Sequence, residues 1–243
     1  MSLLALLAAR AAEITPEPAP EPDPTEYRSV YLIPHQDDET LTCGAAILSE
    51  IQAGREVICM LATRGEKANN NMSSLLGRPV TADEVQAARD KEFTEACHRL
   101  GATPILPANR MPDGGSTAAG IVALAKANIP QDKPILLRAT SQYDYHVDHR
   151  NCGFAMAQLA AEGFGTDPRH MVAYRNVGRV NHARPLEPVM QMGEHADVTT
   201  WHQWPYLNVD PANGWFGIGS YSARPWFDEQ INIDGRTHWH RLT

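Results

Sequence analysis

From residue 27 onward, short apolar runs alternate with longer segments whose hydrophobic residues recur at helical spacing. The apolar runs predict strands at 29–33, 57–61, 105–106, 135–139 and 171–174. The helical spacing predicts helices at 39–53, 81–101, 116–128 and 149–161. Strands that alternate with helices of this length pair in parallel through right-handed crossovers. The pattern therefore predicts an α/β fold, a Rossmann-like three-layer αβα sandwich with a mostly parallel sheet.

Both ends of the chain depart from this alternation. Residues 3–14 are rich in alanine and leucine and predict a helix packed on the domain, with a trimmed export or anchoring segment as the alternative. Prolines at every second position from Pro16 to Pro24 indicate an extended polyproline-II linker. We therefore assign 1–26 to an N-terminal helix and linker, and 27–243 to a single domain. After Gln191 no clear period remains, which predicts an irregular C-terminal lobe of loops or short strands.

Composition and charge exclude two classes of protein. The 21 basic and 29 acidic residues give a net charge of −8, whereas nucleic-acid binding draws most of its affinity from a basic excess. No apolar run reaches the roughly 18 residues that a membrane-spanning helix requires. The four cysteines show no CxxC spacing and stand among apolar or small residues. We therefore expect buried thiols, a reducing compartment and a cytoplasmic location.

Candidate chemistry begins directly after the first predicted strand, in the segment Pro34-His35-Gln36-Asp37-Asp38-Glu39. Ligands of such sheets bind beyond the carboxyl ends of the strands. His35 and Asp38 are three residues apart, so a tight turn can direct both side chains to one point, and Asp37 remains available as a base. The structural alternative for this segment is a helix N-cap with acidic residues in the first turn.

A second cluster, His146-Val147-Asp148-His149, follows the fourth predicted strand and so reaches the same edge of the sheet. Joining His35, Asp38 and one histidine of this cluster gives two imidazoles, one carboxylate and room for water. That composition is typical of a hydrolytic zinc centre rather than a closed structural one. Taken alone, His146 and His149 are equally consistent with surface residues at the start of a helix.

These segments resemble the motifs of the PIG-L/LmbE-like family of zinc-dependent N-deacetylases, which includes N-acetylglucosaminyl deacetylases. The segment from His35 to Glu39 is similar to the opening motif His-Pro-Asp-Asp-Glu, with Gln36 in place of the proline. The His-x-Asp-His motif is matched in full by residues 146–149. Thr63-Arg64-Gly65-Glu66 looks like the Thr-x-Gly-Glu segment, and Arg89 with Glu92 like the Arg-x-x-Glu pattern. The resemblance covers about residues 29–175.

The resemblance implies a cofactor and a role for each matched side chain. The implied Zn²⁺ ligands are His35, Asp38 and His149. Asp37 would be the general base that takes a proton from the attacking water. His146 would be the cationic group that stabilises the oxyanion and protonates the leaving amine, and Asp148 would orient the His146 imidazole and raise its pKa. The residues implied to contact a sugar-like substrate are Arg89, Arg110 and Asp113.

The function predicted is a zinc-dependent hydrolase that removes the N-acetyl group from an N-acetylglucosamine-type amino sugar or its conjugate. Zinc polarises an amide carbonyl and lowers the pKa of water to about 7, while a base and an acid move the protons. Two alternatives stay open at this point. One is a metal-dependent phosphoester hydrolase that uses the paired aspartates, and the other is a non-catalytic carbohydrate-binding module with a structural metal.

Two features of the last third lie outside these motifs. His238 and His240 flank Trp239 near the C-terminus, and we expect them in an exposed tail rather than in a metal-binding element. Aromatic residues are also concentrated there, and they predict packing of the C-terminal lobe, with a platform for a sugar ring as the alternative. They are Trp201, Trp204, Tyr206, Trp215, Phe216, Tyr221, Trp226 and Phe227.

Overall fold

The computed structural model of the protein describes residues 23–178, 180, 190–192, 198–232 and 237–241. The helix expected at 3–14 and most of the proline-rich linker lie outside these residues, so the division at residue 26 stays a prediction. None of the described helices is both long enough and apolar enough to cross a bilayer.

Seven described strands form the central sheet, and a separate hairpin adds two more. The sheet strands are β1 (Arg28–Ile33), β2 (Glu56–Leu61), β3 (Thr103–Ile105), β4 (Ile135–Thr140), β5 (Thr166–Val172), β6 (Met190–Met192) and β9 (Thr237–Arg241). The hairpin consists of β7 (Val209–Asp210) and β8 (Trp215–Phe216). The sheet order is β3-β2-β1-β4-β5-β9-β6. The first five strands of this order pair in parallel, and β9 runs antiparallel to both of its neighbours. The predicted mostly parallel sheet is confirmed.

Eight described helices accompany the strands. They are α1 (Asp38–Leu41), α2 (Gly44–Gln52), α3 (Met72–Leu76), α4 (Ala82–Leu100), α5 (Ala118–Asn128), α6 (Val147–Ala161), α7 (Thr200–Leu207) and α8 (Ile218–Asn232). Thr81 and Glu84 form a capping box at the start of α4. It satisfies backbone N–H groups that no carbonyl within the helix can reach.

Both faces of the sheet are covered, because successive residues of β1 point to opposite sides. Val30 and Leu32 pack against buried residues of α5 and α6. Tyr31 and Ile33 pack against buried residues of α2 and α4. Every residue of β1 is buried, as expected of a parallel strand between two helical layers. The predicted three-layer αβα architecture is therefore confirmed, and all four cysteines are unpaired and buried within it.

The helix expected at 39–53 is divided into α1 and α2. The side chain of Gln230, from the C-terminal lobe, donates to the carbonyl of Thr40, and the Thr42 hydroxyl donates to Asp38 at 3.2 Å. These long-range and side-chain bonds replace the continuous helical ladder, so the hydrophobic spacing alone could not locate the break. The helix α3, which follows three consecutive asparagines at 69–71, is too short to show a helical period.

The C-terminal lobe is more regular than expected. The prediction of loops or short strands alone is wrong for 200–207 and 218–232, which are helical. Pro205 and Pro225 lie inside these helices, and Ala223 has non-helical angles (φ −133°, ψ 27°). Proline lacks an N–H group and clashes with the preceding turn, so both residues interrupt the period that would have indicated a helix.

The strand β9 corrects a second expectation about the C-terminal lobe. His238 and His240 are 5% and 1% exposed within this strand, so the exposed tail predicted for them is wrong. The His240 ring stacks on that of His170, in the neighbouring strand β5, with centroids 4.7 Å apart. Polar residues on the buried face of a short strand hide the alternation by which a strand is recognised.

Gly153 of α6 provides a stability test of the packing behind the second histidine cluster. A Cβ atom at this position would lie 2.5 Å from the backbone nitrogen of Gln142 and 2.8 Å from the carbonyl oxygen of Thr140. Because these are backbone atoms, they cannot move aside as a flexible side chain could. We expect Gly153→Ala to lower the free energy of unfolding by about 1–3 kcal/mol, measured by urea denaturation.

The matched control is Gly178→Ala, where an added Cβ atom meets nothing within 4 Å. We expect no loss of stability in this variant. A Gly153→Ala protein with an unchanged urea midpoint would contradict the close contact between α6 and the end of β4.

Candidate active site

The turn between β1 and α1 holds the first half of the site. Asp37 is the N-cap of α1 and has φ 124° and ψ −27°, a conformation that residues other than glycine rarely adopt. Such a strained conformation persists only where neighbouring groups hold the backbone in place. Here the Arg89 guanidinium donates to Asp37 Oδ2 at 3.1 Å and to the Gln36 carbonyl. The Asp37 N–H donates to the Glu39 carboxylate at 3.1 Å.

The three expected metal ligands come together at the carboxyl edge of the sheet. Asp38 Oδ2 lies 3.3 Å from His35 Nδ1 and 3.1 Å from His149 Nε2. Although burial raises the pKa of Asp38, the two imidazoles outweigh it and hold that pKa well below its usual range. Two segments separated by more than 100 residues thus meet around one carboxylate.

A further carboxylate, Asp144, lies behind His149. Its Oδ2 atom is 3.4 Å from His149 Nδ1 and accepts a hydrogen bond from Asn176 at 2.7 Å. Burial lowers the pKa of His149, but Asp38 and Asp144 outweigh this effect and raise it to about 10. Metal-binding imidazoles commonly direct their second nitrogen to such a carboxylate. The sequence reasoning missed Asp144, whose only local signal is its position two residues before His146.

The Asp148 carboxylate contacts a different histidine from the one expected. Its Oδ2 atom lies 2.9 Å from His35 Nε2 but 3.9 Å from His146 Nδ1. Asp148 is fully buried and accepts hydrogen bonds from the Ser116 hydroxyl and from the N–H groups of Gly114 and Ser116. Instead of being raised, the pKa of His146 is lowered by burial and by its two neighbouring imidazoles. Asp148 therefore orients His35 in this structure.

Asp113 and His146 complete the cluster on the solvent side. Asp113 Oδ1 lies 3.5 Å from His35 Nε2, and the His35 and His146 ring centroids are 4.6 Å apart. Two groups of side chains could each hold a metal ion, because the donor atoms within each group lie within 4.8 Å of one another. They are His35, His146 and His149, and His35, Asp113, His146 and Asp148, so both groups contain His146 and neither contains Asp38.

A cavity of about 260 Å³ opens over this cluster. Its polar lining includes His35, Asp37, Asp38, Arg89, Asp113, His146 and His149. Its other wall is largely apolar and includes Leu41 and Ala68 together with Ala223 and Trp226 of α8. The C-terminal lobe thus contributes one side of the cavity. The Asp37 carboxyl faces this space, and its burial raises its pKa to about 6 although Arg89 opposes the shift.

The three residues expected to contact substrate have different positions. Arg89 and Asp113 line the cavity, but the Arg89 guanidinium is already bonded to Asp37. Arg110 is outside the cavity lining, and its two terminal nitrogens donate to the Asp90 carboxylate at 2.7 and 2.6 Å. The structure therefore does not bring Arg110 to the place where the sequence reasoning expected it.

The Thr63–Glu66 segment forms hydrogen bonds with two loops that carry site residues. The Thr63 hydroxyl donates to the Pro34 carbonyl at 2.7 Å, and the Glu66 carboxylate accepts the Asp113 N–H at 3.1 Å. The segment therefore braces the His35 turn and the loop that carries Asp113.

Trp226 gives a test of the apolar wall. Its partly buried ring lines the cavity, where it can stack on a substrate ring. We expect Trp226→Ala to raise KM by about tenfold with a smaller effect on kcat, because stacking stabilises bound substrate and transition state alike. The control is Trp201→Ala, since Trp201 is 62% exposed and packs on Arg99 away from the cavity. Equal KM values in the two variants would contradict this role.

The comparisons with known proteins identify the family of this chain. The model of the PIG-L family, described as GlcNAc-PI de-N-acetylase, matches residues 30–160, more than half of the chain. The chain therefore belongs to the PIG-L family, as the motifs predicted. A comparison with curated protein sequences found no significant match.

Solved structures share the fold at low sequence identity. A 4-carboxy-2-hydroxymuconate hydratase from Pseudomonas putida has a TM-score of 0.51 and 17% identity, over 89% of this chain and 98% of that one. The A40926 pseudoaglycone deacetylase has a TM-score of 0.52 and 16% identity, over 90% and 98%. The N,N'-diacetylchitobiose deacetylase of Pyrococcus horikoshii has a TM-score of 0.52 and 15% identity, over 88% and 83%. A hydratase and two deacetylases thus share one fold, so the reaction must be argued from the site.

Proposed function

We propose that this protein is a zinc-dependent N-deacetylase that hydrolyses the acetamido group of an N-acetylglucosamine-type amino sugar or its conjugate. The observation that carries the proposal is the placement of the Asp37 carboxyl beside, but outside, the group formed by His35, Asp38 and His149. A purely structural metal site has no need of an additional carboxylate in the cavity. Hydrolysis does need one, because a base must take a proton from the attacking water.

The donor set suits Zn²⁺. Two imidazoles and one carboxylate are typical of a catalytic zinc centre, and here they would be His35, His149 and Asp38. The surrounding carboxylates of Asp113, Asp144 and Asp148 make this point favourable for a cation. Zinc held there would supply a Lewis acid for the amide carbonyl and would lower the pKa of water.

The protein's own groups account for the proton transfers. Arg89 fixes the Asp37 carboxylate at 3.1 Å and directs it toward the cavity, where it accepts the proton of the attacking water. His146 lines the cavity and is partly exposed. In the proposal it carries a proton in the substrate complex, donates to the developing oxyanion and then protonates the departing amine. The main obstacle to amide cleavage is that an unprotonated amine is a poor leaving group, and this protonation removes it.

The cavity lining favours amide cleavage over phosphoester cleavage. Among the described lining residues Arg89 is the one lysine or arginine, and its guanidinium is committed to Asp37 and the Gln36 carbonyl. Phosphoryl transfer relies on cationic side chains or a backbone cradle that bind the transferred group. The two deacetylases that share the fold, one of them acting on N,N'-diacetylchitobiose, add support for an acetylated sugar as substrate.

Two measurements on the purified protein test the proposal. We expect about one equivalent of zinc per chain, since the proposed donor set holds one ion, and release of free amine from one or more N-acetylglucosamine conjugates. The substrates would be N-acetyl sugars, nucleotide sugars, glycolipids and glycosylated natural products. Phosphate release from p-nitrophenyl phosphate without amine release would favour the phosphoesterase. Zinc binding with neither activity would favour the carbohydrate-binding module.

A further inference from the structure

A short series of buried hydrogen bonds connects the C-terminal lobe to the strained turn of the site. The Tyr206 hydroxyl, on α7, donates to Glu39 Oε1 at 2.6 Å. The opposite oxygen, Glu39 Oε2, accepts the Asp37 N–H at 3.1 Å. Tyr206 and Glu39 have no exposed surface. No solvent-exposed group separates Tyr206 from the backbone of Asp37.

The Asp37 N–H is where the conformation of this turn is anchored. With φ at 124°, the residue keeps its backbone angles only because neighbouring groups enforce them. Glu39 can anchor the N–H group only if its own carboxylate keeps a single orientation. Two donors set that orientation, the Thr40 hydroxyl at 2.6 Å and the Tyr206 hydroxyl. Of these two, Tyr206 alone comes from a distant part of the chain.

The Tyr206 ring is held firmly enough to direct its hydroxyl. Gly219 lies against the ring, and a Cβ atom there would be 2.4 Å from Tyr206 Cδ1. The Phe227 ring packs on the same side chain with centroids 5.5 Å apart. The Gly219 N–H is bound in turn by the Glu92 carboxylate at 3.1 Å. The ring therefore fits between α7, α8 and α4 with little freedom to rotate away.

We propose that Tyr206 is a positioning residue: its hydroxyl keeps Glu39 directed at the Asp37 N–H and so holds the Asp37 carboxylate in its working orientation. The inference rests on the proposed function of Asp37 as the base. Tyr206 lies outside residues 30–160, the part that the family model matches. The C-terminal lobe thus takes part in the reaction by fixing the geometry of the catalytic turn.

The test compares Tyr206→Phe with Tyr221→Phe, which removes the same hydroxyl from a tyrosine that is 58% exposed on α8. Phenylalanine preserves the ring packing and removes the donor. We expect kcat of Tyr206→Phe to fall by about tenfold, in the range seen when groups that orient catalytic ligands are removed. KM and zinc content should stay close to those of the unmodified protein, and Tm should fall by only a few degrees because one buried hydrogen bond is lost. Tyr221→Phe should change none of the four quantities.

Hydrogen exchange provides a readout that does not depend on activity. We expect the Asp37 N–H to exchange faster in Tyr206→Phe than in the unmodified protein or in Tyr221→Phe, measured by mass spectrometry on peptides covering 34–42. If the unmodified protein hydrolyses no amide but Tyr206→Phe still shows faster exchange, the proposed function is refuted and the positioning role stays intact. Unchanged exchange and unchanged kcat would overturn the positioning role.

Glu39→Gln extends the test to the intermediate group. The carbonyl oxygen of the glutamine can still accept a hydrogen bond from Tyr206. Its NH₂ group would then face the Asp37 N–H, from which it cannot accept a hydrogen bond. Since Tyr206 acts through Glu39, we expect the double variant to lose no more kcat than Glu39→Gln alone. Additive losses in the double variant, or loss of bound zinc together with kcat in Tyr206→Phe, would show a general structural role instead.

Discussion

Replacement of Asp37 by asparagine is expected to lower kcat by about 10²–10⁴-fold, the contribution that a general base typically makes, while zinc stays bound. Asparagine is nearly isosteric and tolerates positive φ better than most residues, so the variant removes the negative charge with little strain at φ 124°. The proposed ligand group of His35, Asp38 and His149 is left complete. Steady-state kinetics and elemental analysis of the same preparation measure the two quantities.

The control for this variant is Asp83→Asn, on the exposed first turn of α4. It removes one aspartate charge far from the cavity, and we expect unchanged kinetics. Loss of zinc in Asp37→Asn would contradict the division of roles between Asp37 and Asp38, because it would make Asp37 a ligand.

The second large effect is expected for His35→Ala, which should lose both zinc and activity. His35 contributes one of the two imidazoles around Asp38, at 3.3 Å from Oδ2, and a site reduced to one imidazole and one carboxylate holds zinc weakly. Without the metal the reaction loses several kcal/mol of transition-state stabilisation. At 1.36 kcal/mol per factor of ten, this corresponds to a fall in kcat/KM of about 10³-fold or more.

Thermal unfolding distinguishes zinc loss from misfolding in this variant. A ligand that binds the folded state raises Tm, so removal of zinc with EDTA should lower Tm of the unmodified protein and leave that of His35→Ala unchanged. His98→Ala, an exposed histidine on α4, should behave like the unmodified protein. Full zinc occupancy in His35→Ala would refute the ligand assignment.

The two histidine motifs illustrate what local sequence can reveal about a site. Each follows an apolar strand, and parallel strands end at one edge of the sheet. The prediction that His35, Asp38 and His149 converge needed only these two facts, and the structure places them around one carboxylate oxygen. Whether they bind zinc stays a prediction that the experiments above test.

The positions of Arg110 and Asp148 illustrate where local reasoning stops. The family resemblance assigns roles to both, yet Arg110 is bonded to Asp90, and Asp148 contacts His35 more closely than His146. Motif spacing specifies which element carries a side chain. It does not specify which of several nearby partners the side chain meets, because that depends on how loops from different elements pack.

The sequence by itself determined the αβα layering and the edge of the sheet at which His35, Asp38 and His149 meet. These properties follow from short-range periodicity and from the fixed direction of parallel crossovers. Only the tertiary structure decided that β9 lies inside the sheet, that α8 forms a wall of the cavity and that Tyr206 reaches Glu39. The contact between Tyr206 and Glu39, for example, joins residues 167 positions apart. Such contacts form because buried polar groups need hydrogen-bond partners when the layers pack together. The local sequence does not indicate which residues those partners will be.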